Sequence, residues 1–136
     1  MSIFLAHNKQ VEDAVIDGWA EGVAALWRCD VVPGRDDYTR RARAMGGWNT
    51  WVREVPVAED WSGSPLFSAI VVPVHDFDQP PVGRATFALV EGFLLRGKPA
   101  WAWNPVTNQV AAITGVEDKG TDTWTDVGVL HIKETT

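Results

Sequence analysis

Apolar positions along this chain alternate between two patterns, short unbroken runs and longer stretches spaced by three and four. Ile3-Phe4-Leu5-Ala6 is unbroken and ends in polar His7-Asn8-Lys9, the pattern of a buried parallel strand that delivers its last residues to a ligand edge. From Gln10 to Arg28 the spacing changes. Val11, Ala14, Val15, Trp19, Val23, Leu26 and Trp27 predict a helix with one buried face. Gly18 and Gly22 weaken that helix, and they also let it approach a sheet closely. Val31-Val32 predicts a second short strand, stopped by Pro33-Gly34.

Between Arg35 and Pro56 the pattern is hardest to read. Asp36 or Asp37 can cap a helix running through Ala44, with Gly46 ending it. Leu66 to Val74, centred on Ala69-Ile70-Val71-Val72, is nearly continuous apolar sequence and predicts a central strand covered on both faces. After His75-Asp76-Phe77-Asp78 and the breakers Gln79-Pro80-Pro81, helical spacing returns from about Arg84 to Arg96. Gly97-Lys98-Pro99 and a strand Ala100 to Trp103 follow. Strand, loop, helix, strand is a βαβ unit, so Ile3–Ala6 and Ala69–Val74 are expected as neighbouring parallel strands. Asn104 to Asn108 predicts a turn. Val110 to Val116 and Val127 to Ile132 predict further strands, which can close a hairpin at the sheet edge.

Length and charge narrow this to one acidic α/β domain. A chain of 136 residues is long enough for one core and short for two. Its formal charge of −6 excludes a general grip on the phosphates of long nucleic acid. The single Cys29 excludes an intrachain disulfide and a cysteine metal cluster. Residues 1–6 lack a basic lead and turn polar at His7, which predicts neither a signal peptide nor a membrane span and points to the cytoplasm. Eight Trp supply core, stacking platforms or a protein-binding surface.

The first strand, the third strand with its acidic loop, and Ala85-Thr86-Phe87 through Gly97-Lys98-Pro99 resemble the nucleoside 2-deoxyribosyltransferase family and its nucleoside 5'-monophosphate hydrolase relatives. The resemblance covers residues 2–8 and 66–103. It implies a flavodoxin-like, three-layer domain with a mainly parallel sheet, a homo-oligomer, and cleavage of the bond between a nucleobase and a (deoxy)ribose by a carboxylate on the helix. That carboxylate stands nine residues before the Lys of Gly-Lys-Pro, and here the position is Leu89. Glu91, two residues on, is turned by about 200° around the helix. Catalysis of the family kind therefore calls on Glu91, or on Asp76 or Asp78 in the preceding loop.

A loop at the carboxyl end of a central strand is where open α/β sheets hold ligands. An Asp there can bind sugar hydroxyls or move a proton to a leaving base, although simple turn chemistry explains Asp76 and Asp78 equally well. Gly83, Arg84 and Thr86 open the next helix, whose free amides attract an anion such as a 5'-phosphate. His7 and Asn8 close the first strand and border the same edge. Trp48, in the turn Gly46-Gly47-Trp48-Asn49, can stack on a base, with Arg43 nearby for phosphate. His75 and His131 have no metal-ligand spacing, so neither a metal nor a cofactor is expected. The ligand is then a nucleoside or nucleotide, handled by a glycosidic hydrolase or transferase, or by a protein that binds it without catalysis.

Overall fold

The computed structural model describes residues 2–7, 13–28, 30–35, 41–45, 50–56, 62–65, 67–119 and 128–133. Among them the elements are, in chain order, β1 (Ser2–His7), α1 (Asp13–Trp27), β2 (Asp30–Arg35), β3 (Arg41–Met45), β4 (Thr50–Pro56), β5 (Phe67–Pro73), β6 (Pro81–Val82), α2 (Arg84–Leu95), β7 (Ala100–Trp103), β8 (Val110–Asp118) and β9 (Gly128–Ile132). The strands are ordered β3-β4-β2-β1-β5-β7-β8-β9-β6. The six from β4 to β8 form a mixed body that curls into a half-barrel.

β1 lies beside β5 in parallel, with Ile3 opposite Ala69 and Leu5 opposite Val71, as the two apolar runs predict. The crossover from β1 through α1 leads to β2 on one side, and that from β5 through α2 leads to β7 on the other. Because such crossovers share one hand, helices on diverging connections cover opposite faces. The cores bear this out. Ile3, Leu5, Ala69, Val71 and Trp103 pack with Ala20, Val23 and Ala24 of α1, whereas Phe4, Ala6, Ile70, Val72, Ala100 and Ala102 pack with Leu89, Val90 and Phe93 of α2. Successive strand residues thus alternate between two layers. Burying each large apolar side chain contributes about 1.5–3 kcal/mol, so both layers hold the strands in place.

The expectation of a flavodoxin-like, mainly parallel three-layer sheet is overturned. Four pairings are parallel, β1/β2, β1/β5, β2/β4 and β5/β7, and four are antiparallel, β3/β4, β6/β9, β7/β8 and β8/β9. Connection length is the reason. β7 reaches β8 through the turn at 104–109, far too short for the return that parallel neighbours need. The C-terminal hairpin forms as β8 and β9, but β6 pairs outside β9 and takes the edge itself.

The helix through Ala44 is likewise replaced by a strand. Ala44 sits opposite Trp51 and Met45 opposite Thr50 in an antiparallel β3/β4 pair. Arg41-Ala42-Arg43-Ala44 alternates polar and apolar with the period of a strand, and the charges obscure it. Asp36, Asp37 and Gly46 lie outside the described residues. β2 also runs through Pro33 and Gly34 to Arg35. Its pairing with β4 begins only at Gly34, so Pro33 has a neighbour on one side alone, where a missing amide is tolerated. Among the described residues no helix is long and apolar enough to cross a membrane.

Gly22 does permit a close approach, since a Cβ there would stand 3.2 Å from the Trp103 ring, but Gly18 faces open space. A Cβ on Gly128 would meet the Glu117 carbonyl oxygen at 2.6 Å and the Phe87 ring at 2.5 Å. Gly18→Ala is expected to stabilise the fold by roughly 0.5–1 kcal/mol, the usual gain in a helix interior. Gly128→Ala is expected to cost about 1–3 kcal/mol through overpacking against rigid backbone. Urea denaturation of the two variants checks both signs.

Candidate functional site

The connections from β1 and β5 leave in opposite directions, the arrangement at which open α/β sheets hold ligands beyond the carboxyl ends of the strands. His7 ends β1 at this rim, although its side chain lies outside the described residues, as do Asn8, Trp48 and the side chain of Arg43. On the β5 side the chain runs on through residues 74–83. That loop carries Asp76 and Asp78, both exposed.

Both ends of the loop are fastened. At its start the Val74 amide donates to the Trp103 carbonyl at 2.9 Å, and Asn104 Nδ2 donates to the His75 carbonyl at 3.0 Å. Asn104 is held in turn, because its Oδ1 accepts from the amides of Val106 at 2.9 Å and Thr107 at 3.2 Å. At the far end the Leu130 amide donates to the Pro80 carbonyl at 3.0 Å, and β6 pairs with β9. Between these anchors the Asp78 amide donates to Asp76 Oδ1 at 3.0 Å. Gln79 adopts a left-handed conformation, φ 46°, which costs a non-glycine residue energy and recurs at functional loops.

Fastening the loop to β9 creates an open cleft of about 520 Å³ lined by Phe77, Asp78, Gln79, His131 and Ile132. Phe77 and Ile132 also rest on the α2-side core, and the other lining residues are polar. His131 Nε2 lies 3.0 Å from Glu117 Oε2, and Lys119 Nζ is 3.6 Å from that same oxygen. Sequence reasoning passed over His131 because it sought metal spacing. Nothing local marks this residue, whose place depends on the pairing of β6 with β9.

At the start of α2, Gly83 is extended (φ −75°, ψ 172°), no side chain caps the helix and its first turn holds no acidic residue. Arg84 is exposed and Thr86 is only 7% exposed. Amides here are available to an anion. Leu89, which the resemblance makes the nucleophile position, is fully buried in the α2-side core, whereas Glu91 is exposed on the same helix. The 200° turn between them separates core from solvent.

Gly97-Lys98-Pro99 has a structural task. Gly97 takes φ 71° just beyond α2, as helix-ending glycines do. Lys98 Nζ donates to the carbonyls of Ser62 at 2.7 Å and Ser64 at 2.9 Å, tying the segment before β5 to the end of α2. Arg96 Nη1 adds a bond to Ser62 Oγ at 3.0 Å. This cluster sits at the amino ends of β5 and β7, away from the loop of Asp76 and Asp78. Among the described residues no group of His, Cys, Asp and Glu could hold a metal ion.

No family model, no curated protein and no solved structure matches the chain.

Leu89→Glu tests whether the resemblance can be completed by restoring its carboxylate. The substitution buries an unpaired charge among Val90, Phe93 and their neighbours, at a cost of several kcal/mol. The expected outcome is a protein that unfolds well below the wild-type temperature and gains no glycosidase activity, read by thermal melting and base-release assay. A folded, more active variant would mean that position 89 reaches the ligand after all.

Proposed function

We propose that this chain binds a nucleoside or nucleoside monophosphate at the carboxyl rim of its central parallel strands and cleaves the N-glycosidic bond, as a cytoplasmic homo-oligomer. The observation that carries the reading is the loop of Asp76 and Asp78, anchored at both ends, with Asp78 lining an open cleft. Cleavage at an anomeric carbon needs a carboxylate positioned by something rigid, and Asp78 on a fastened loop meets that need. Asp76 contributes by receiving the Asp78 amide. Glu91, exposed on α2, ranks behind both.

The uncapped start of α2 supports a monophosphate over a free nucleoside. Gly83 and Thr86 offer backbone amides there and Arg84 a cation. His7, Asn8 and Trp48 complete the ligand contacts on sequence grounds, with Trp48 as the stacking platform.

Burial of Leu89 in the core favours a second reading, a protein that binds nucleotides without cleaving them. One experiment separates the two. With the glycosidase reading, chromatography after incubation with nucleosides and their monophosphates detects free base, Asp78→Asn lowers the rate by about a hundredfold, and Glu91→Gln changes it by less than about threefold. Tryptophan fluorescence that responds to a nucleotide with no base released from any of them selects the binder. Release that survives Asp78→Asn at full rate removes Asp78 from the chemistry.

A further inference from the structure

We propose that His131 is the proton donor to the departing base, held in place by Glu117 and working across the cleft from Asp78. The inference rests on the glycosidase reading and adds a residue and a role that the parallel half of the fold does not supply.

The geometry is that of an oriented imidazole. Glu117 Oε2 accepts from His131 Nε2 at 3.0 Å, so the carboxylate orients the ring. In the imidazolium form of a ring held this way, the proton on Nδ1 is the one not engaged by Glu117. His131 and Asp78 line the same cleft from different elements, one on β9 and the other on the loop after β5. Phe77 and Ile132 also line the cleft and offer it apolar contact. Neither His75, which is exposed with its carbonyl tied to Asn104, nor any other described histidine lines this cleft.

The step balances without a further reactant. As the bond between C1' and the base nitrogen breaks, its electron pair moves onto the base, and the proton from His131 Nδ1 neutralises it. The oxygen of a water molecule bonds to C1' and its proton passes to the Asp78 carboxylate. Solvent returns that proton to His131. One water is consumed and free base and free sugar leave, with acid and base catalysis supplied by two groups that line one cleft.

Leaving-group chemistry tests the role. An ordinary nucleoside needs a proton on its departing base, whereas a p-nitrophenyl riboside departs as a stable anion. In His131→Gln, kcat/KM for the nucleoside is expected to fall by about a hundredfold or more and that for the riboside by less than about fivefold. Glu117→Gln, which can still accept the hydrogen bond but brings no charge, is expected to lose about tenfold on the nucleoside alone. Matching thermal midpoints show that each variant is folded. Equal losses on both substrates, or nucleoside cleavage unchanged by His131→Gln, overturn the inference while leaving the glycosidase reading intact. A wild-type protein that releases base from no nucleoside or nucleotide removes that reading, and this inference with it.

Discussion

Where β1 and β5 lie side by side, water is excluded from both faces, so their backbone amides depend on the ladder and their side chains need cover above and below. Each strand meets that demand by alternation: Ile3 and Leu5 turn to α1, Phe4 and Ala6 to α2. One helix per face is then sufficient only over the centre of the sheet. Further from the centre the strands cannot be covered twice, and there the chain changes to antiparallel pairing, which tolerates one wet face. The burial pattern follows the change. β5 is almost wholly buried, whereas β8 and β9 alternate between buried and half-exposed positions before β8 runs out exposed at Glu117 and Asp118.

Much of the central part was legible because full burial leaves a plain mark, an unbroken apolar run, and amphipathic helices leave another. β1, α1, β5, α2 and β7 all carry one of the two. Strand direction leaves no such mark. An antiparallel and a parallel strand of equal burial read alike, so the mixed character of the sheet was visible only in the brevity of the 104–109 connection. Arg41 and Arg43 hid β3 by placing charge on alternate positions, which resembles a capped helix as readily as a strand. β6, two residues long and beginning with Pro81, carries too little pattern for any reading, yet it decides where the acidic loop ends.

The candidate site divides along the same line. Asp76 and Asp78 were legible because they follow the most obvious strand in the chain, and a position at the end of a central strand is a strong pointer. His131 was not, because its relation to Asp78 spans more than fifty residues and passes through β6. The Gly97-Lys98-Pro99 resemblance also has a purely local explanation: a glycine ends the helix, a lysine closes over two carbonyls, and a proline starts the next strand. Any βαβ unit with a turn of this kind comes under pressure toward similar residues, whatever ligand it holds.

A loop proposed to carry chemistry has opposing needs, since its side chains have to face solvent while its backbone keeps one shape. Residues 74–83 meet both by taking their order from elsewhere. Asn104 uses its oxygen to shape the turn after β7 and its amide to grip the carbonyl of His75, so one side chain makes two loops rigid together. The far end borrows its order from β9 through the bond between Leu130 and Pro80. Neither anchor needs an apolar contact from Asp76 or Asp78, which leaves both carboxylates free to stay in water. The second anchor depends on β9, which the pairings of β7 with β8 and of β8 with β9 carry to the far end of the loop. These two pairings thus supply both the second anchor of the loop and a histidine that lines the same cleft.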